Sequence, residues 1–157
     1  MYAIINIGSN LGNRRLNLSR AMAAVMNRFG NLEMSHTVET EPFGFESPHK
    51  FLNVCIMFQT DMQPQELLET LQEMERSICP DSHRTPKGEY ADRVIDIDLI
   101  AVDDCVVDTP ALKLPHPGLE NRRFFLEPLN EIAPGWHHPV SGLTPAEMLA
   151  ALSSDSD

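Results

Sequence analysis

The segment Val94-Ile95-Asp96-Ile97-Asp98-Leu99-Ile100 constrains this chain more than any other. Its side chains alternate in kind, and a period of two marks a β-strand with unlike faces. Ile95, Ile97 and Leu99 share the face that must be buried, so the strand needs a core on that side. Asp96 and Asp98 share the opposite face, about 6.6 Å apart along the strand. Two carboxylates so placed repel one another unless cations lie between them. Magnesium, which takes a few carboxylates together with substrate phosphates, suits such a place. Two metals about 3.5–4 Å apart could then assist a displacement at phosphorus. Taken alone, the pattern fits a solvated strand face better.

The rest of the chain supplies the neighbours that this strand requires. Residues 2–7 read as a buried, Ile-rich strand ended by Gly8-Ser9-Asn10. Leu18, Ala21/Met22, Val25 and Phe29 then follow helical spacing, and Gly30 stands where a helix would be capped. Residues 33–41 form a second strand ending at Pro42-Phe43-Gly44, and residues 51–60 a third. Pro64 suits the first turn of a helix, which Leu67, Leu68, Leu71, Met74 and Ile78 line with one apolar stripe. Periodicity disappears over residues 79–92, and structureless stretches of that length commonly carry function. The aspartate strand spans 94–102, and Cys105-Val106-Val107 is expected to pair back on it across Asp103-Asp104. Helical segments follow near 125–132 and 145–152, and residues 153–157 are expected to fray. The order β-α-β-β-α-β predicts an α+β, ferredoxin-like domain over 1–157. It has an antiparallel sheet, two helices on one face and an additional C-terminal strand and helices.

Charge narrows the function. Twelve Lys and Arg against 23 Asp and Glu leave −11, the wrong sign for a general nucleic-acid binder. A few arginines in one cleft can still hold a small phosphate ligand. Cys55, Cys79 and Cys105 are odd in number and form no CxxC, which favours reduced thiols over a disulfide framework or a zinc ribbon. With no signal peptide and no apolar stretch near 20 residues, the expectation is a cytoplasmic monomer with neither nucleic-acid nor membrane partner.

Further motifs surround the aspartate strand. Asp92-Arg93 precedes it, while Leu114-Pro115-His116-Pro117, Glu120-Asn121-Arg122-Arg123-Phe124 and Pro128-Leu129-Asn130-Glu131-Ile132-Ala133-Pro134 follow. Ile7-Gly8-Ser9-Asn10-Leu11-Gly12, Phe51-Leu52-Asn53 and Gln72-x-x-Glu75 lie upstream. In this order and spacing, over about residues 4–140, the chain resembles the 6-hydroxymethyl-7,8-dihydropterin pyrophosphokinases of folate biosynthesis. The resemblance implies a ferredoxin-like fold. It also implies transfer of pyrophosphate from ATP to 6-hydroxymethyl-7,8-dihydropterin, releasing AMP. Asp96 and Asp98 would hold two Mg2+ ions on the ATP phosphates, with Arg84 and Arg93 neutralising the transferring group. Gln72, Glu75, Lys113, His116 and Arg122 would contact ATP. Phe51 and Phe124 would sandwich the pterin, Asn53 and Asp96 would meet its polar atoms, and Thr40, Pro42 and Phe43 would surround its edge. The chain departs from the family pattern at Glu89, Asp92 and Ala111, which leaves fewer cations around ATP. Two rivals lie beside this reading: an inactive pterin- or nucleotide-binding module of the same fold, and a ferredoxin-like interaction domain. Taken singly, Phe51 and Phe124 fit core residues, Arg122 a surface residue and His116 a loop residue.

Overall fold

The computed structural model describes residues 1–41, 47–79 and 94–153. In chain order its elements are β1 (Tyr2–Ser9), α1 (Arg14–Phe29), β2 (Leu32–Met34), β3 (Val38–Thr40), β4 (Phe51–Gln59), α2 (Pro64–Ile78), β5 (Asp96–Val102), β6 (Val107–Asp108), β7 (Lys113–Leu114), α3 (Arg123–Ile132) and α4 (Pro145–Ser153). Five strands make one antiparallel sheet in the order β2-β4-β1-β5, with β3 also paired to β4. β1 is central because its Ile-rich run is apolar on both faces, and every residue of it but Tyr2 is buried.

One face of the sheet packs on α1 and α2. Ile5 and Ile7 of β1, Val54 and Ile56 of β4, and Ile97 and Leu99 of β5 meet Leu18, Val25, Leu67 and Leu71 there. The spacing read from the sequence places α1 and α2 correctly. Asn13 starts α1 by accepting the Leu16 N–H at 3.1 Å, and the Gly30 N–H closes it on Met26 O. The opposite face is shared. Ile4, Cys55, Ile100 and Ala101 pack there under Phe125, Leu126 and Leu129 of α3 and Met148 of α4. A register shift between Ile4 and Ile5 opposite β5 puts both Ile100 and Ala101 on this face.

Three expectations need correction. β1 does not stop at Gly8 but runs to Ser9, with Gly8 paired to Asn53 on one side and Asp96 on the other. Residues 33–41 form two strands, because the ladder breaks at Ser35. The Ser35 N–H still bonds Cys55 O, but the Ser35 hydroxyl takes the Cys55 N–H at 2.9 Å, where a regular ladder would use a carbonyl. Cys105–Val107 does not return onto β5. Asp103 takes φ 47 and is tied to Tyr2 by two hydrogen bonds, which turns the chain away. Val107 and Asp108 then pair with Leu114 and Lys113 in a separate two-stranded sheet.

Candidate active site

Period two carries polar residues to one end of the face that α3 and α4 cover. The register aligns Asn53, Gly8 and Asp96 in one row across β4, β1 and β5, and Cys55, Asn6 and Asp98 in the next. Adjacent strands lie about 4.8 Å apart, so Asn53 and Asp96 flank a trough whose floor is a residue without a side chain. Gly8 is required there: a Cβ would stand 2.8 Å from Asn53 Oδ1. Asn53 is held from its other side, its Nδ2 donating to Thr40 Oγ1 at 2.9 Å. Phe51 and Thr40 face each other two pairs further along.

The carboxylates do not sit on a solvated face. Asp96 is 5% exposed and Asp98 6%, and removing a charged carboxylate from water costs several kcal/mol unless other interactions offset it. Among the described residues no group of three or more His, Cys, Asp and Glu could close around an ion. Two hard oxygen donors fit a cation that completes its shell with water and substrate oxygens, as Mg2+ does. They do not fit a closed zinc site.

The surrounding elements aim the remaining candidates. Glu75, half-buried on α2, accepts the Ile97 N–H at 2.8 Å on Oε2, between the two aspartates in sequence. Gln72 lies exposed one turn earlier. The His116 N–H bonds Ile100 O at 2.8 Å, hanging that loop from the aspartate strand. His116 Nδ1 accepts the Gly118 N–H at 3.0 Å and lies 3.5 Å from Arg122 Nη1. The Arg122 guanidinium lies 5.7 Å from the centre of the Phe125 ring, and His116 meets the same ring edge-on. Gly118 makes this possible, since a Cβ there would stand 2.2 Å from Arg122 Nη1. Phe124, half-buried at the start of α3, packs edge-on against Phe125 at 4.6 Å. Lys113 lies exposed on β7, paired with Asp108.

Pro128 contributes from a distance. Inside α3 it has no N–H to offer the carbonyl four residues back, which is Phe124 O. Asn6 Nδ2 approaches that oxygen at 3.4 Å, joining the helix start to the sheet. Asn6, Gly8 and Gly118 went unassigned in the sequence reading. The same alternation that pairs Asp96 with Asp98 places Asn6 and Gly8 on one face of β1, so that signal was present. Gly118 carried none, because its role is a close approach by Arg122. Pro42, Phe43, Arg84 and Arg93 lie outside the described residues, as do residues 80–92 of the aperiodic stretch and 154–157 of the tail.

The sequence matches the family described as 7,8-dihydro-6-hydroxymethylpterin-pyrophosphokinase over residues 4–134. A Porphyromonas gingivalis protein named 2-amino-4-hydroxy-6-hydroxymethyldihydropteridine pyrophosphokinase is 41% identical over 137 residues, 86% of this chain and 92% of that one. A protein of the same name from Aquifex aeolicus is 36% identical, over 87% of this chain and 82% of its own length. Among solved structures, wild-type Plasmodium falciparum HPPK-DHPS with pteroate superposes with a TM-score of 0.77 over 98% of this chain, at 14% identity. This chain spans 42% of that longer protein, and at such identity the likeness concerns the fold. No helix among the described residues is long and apolar enough to cross a membrane.

Proposed function

The chain belongs to the 7,8-dihydro-6-hydroxymethylpterin-pyrophosphokinase family, and from that premise we propose how its polar trough performs the family's reaction. The enzyme transfers pyrophosphate from ATP to 6-hydroxymethyl-7,8-dihydropterin, giving AMP and the pterin diphosphate, a step of folate biosynthesis. The observation that carries the site assignment is the pair of buried carboxylates, Asp96 and Asp98, in register with Gly8 and Asn6.

Asn53 offers a donor and an acceptor to a heterocycle edge that carries both, and Thr40 fixes its orientation. Phe51 and Phe124 flank the same end and stack on the flat pterin, a contact worth about 0.5–1.5 kcal/mol beyond area burial. Asp96 meets the substrate across the trough, and Pro42 and Phe43 complete its edge. His116 and Arg122 hold ATP phosphates, with Gln72, Glu75 and Lys113 on the nucleotide side. Arg84 and Arg93 neutralise charge as the β-phosphorus is attacked. Two Mg2+ ions, held by Asp96 and Asp98, would supply charge neutralisation along the polyphosphate. Phosphoryl transfer leaves the protein mainly positioning and electrostatics to supply.

The order β2-β4-β1-β5 supports a ferredoxin-like βαββαβ core in which one expected strand is split into β2 and β3. The chain is read as one domain over 1–157, acting as a cytoplasmic monomer. Incubation with ATP, magnesium and the hydroxymethyl pterin, followed by chromatography, tests the assignment. AMP and pterin diphosphate should form in equal amounts with no ADP above background. Stoichiometric ADP would make this a different kinase, and no nucleotide turnover would make it a binding module.

A further inference from the structure

Helix α3 carries Phe124 in its first turn and Glu131 in its last, seven residues or about 10.5 Å further along the axis. Its start is joined to the sheet through Asn6 and the Phe124 carbonyl. Its end meets the break between β2 and β3, where the strand leaves the ladder and His36 is exposed. Glu131 supplies two acceptors there: the His36 N–H donates to Oε1 at 3.0 Å and to Oε2 at 3.1 Å. His36 Nδ1 also lies 2.7 Å from Oε2, but that ring is 91% exposed, and exposed pairs contribute little. The backbone contact is solvent-exposed as well, but one N–H shared by both oxygens of a carboxylate is a charge-assisted bond that does not need the ring.

β3 pairs over only three residues, ending at Thr40, which orients Asn53. So short a strand needs an anchor outside its own ladder. We propose that Glu131 is a positioning residue of the substrate pocket, clamping the β2–β3 break to α3 so that Thr40 and Asn53 keep a fixed separation from Phe124. This rests on the pterin pocket assigned above. The helix and the strand then move as one wall, whereas His116 on the nucleotide side hangs from β5 by its own bond to Ile100 O.

AMP formation by the wild-type enzyme, measured first, tests the underlying assignment by itself. In Glu131→Ala, the KM for the pterin should rise about tenfold, within the range that small misplacements cost positioned reactions, while the KM for ATP stays within about twofold. Glu131→Gln keeps one acceptor oxygen and should recover most of that loss. His36→Ala keeps the N–H and should leave both constants within about twofold of wild type, since the backbone contact survives. Hydrogen exchange at the His36 amide should accelerate about tenfold in Glu131→Ala, as expected when an anchored segment opens locally. An unchanged pterin KM, or equal rises for both substrates, would overturn the clamp as a positioning device. A His36 amide that exchanges no faster would overturn it too, and that readout needs no turnover.

Discussion

On the face of the sheet covered by α3 and α4, the same three strands build two unlike halves. Ile4, Cys55, Ile100 and Ala101 lie under α3 and α4 and make a dry core. Two residues along the same strands, Asn6, Gly8, Asn53, Asp96 and Asp98 occupy the equivalent positions. Backbone pairing is continuous through both. Only the side chains change, and with them the kind of interaction each half depends on. The apolar half gains from leaving water, whereas the polar half holds two carboxylates away from it against their preference.

The largest expected effect lies in the polar half. Asp98→Asn should lower turnover by about 10³-fold, the scale of losing a principal electrostatic group at a reacting centre. The melting temperature should stay close to that of wild type, because Asn keeps the size and shape of the buried side chain. AMP release and calorimetric melting would read the two together, and turnover within about threefold of wild type would break the comparison. The mirror experiment is Ile100→Ala, which should cost about 2–5 kcal/mol of stability through lost burial and a residual cavity. The folded fraction should keep its turnover. Denaturant titration beside the activity assay checks it, and loss of activity without loss of stability would mean that the halves are not separable.

Gly118→Ala sharpens the contrast on the nucleotide side. Its Cβ would displace the Arg122 guanidinium, and losing one phosphate contact of roughly 1.5–3 kcal/mol predicts an ATP KM raised at least about tenfold. Steady-state kinetics with each substrate varied would show the pterin KM unmoved. The last effect, confined to pH above 9 and so the smallest at neutral pH, concerns Cys55 in the dry half. Burial first, and the nearby Glu131 charge second, push its thiol up to about 12 from a usual value of 9.0. A raised folded value favours the protonated thiol, so its stability contribution is complete below pH 9 and fades as pH climbs toward 12. Stability should fall across that window by up to about 1.4 kcal/mol per pH unit. Cys55→Ala should flatten the slope, and an identical slope in the variant would refute the assignment.

Alternation and helical spacing made α1, α2, β4 and β5 legible, because each buries a periodic set of apolar side chains. The same rule applied to β1 reveals Asn6 and Gly8, but a run rich in Ile hides its second period. The break at Ser35 was illegible for another reason: a hydroxyl replacing a carbonyl in a ladder is a geometric event without a compositional sign. Val106 and Val107 have strand-forming character, yet that character does not choose a neighbour, and the Asp103–Tyr2 contacts made the choice. At the candidate site, alternation made the shared face of Asp96 and Asp98 readable, whereas Phe51, Asn53 and Phe124 were assigned through the family resemblance. Gly118 and Glu131 were not readable, because each acts through a partner distant in space or through the absence of a side chain.

Glu75 on the Ile97 N–H has a consequence for association between molecules. Among the described residues β5 is the last strand of its sheet, and its outward N–H groups could template a strand from another chain. Its sequence, Asp-Ile-Asp-Leu-Ile-Ala-Val, ends in an uncharged, strand-forming aliphatic run. A carboxylate already seated on one edge donor blocks the register an intruding strand would need, and the two aspartates make a second identical copy repulsive. Residues of the candidate site thus also stand against the strand copying itself.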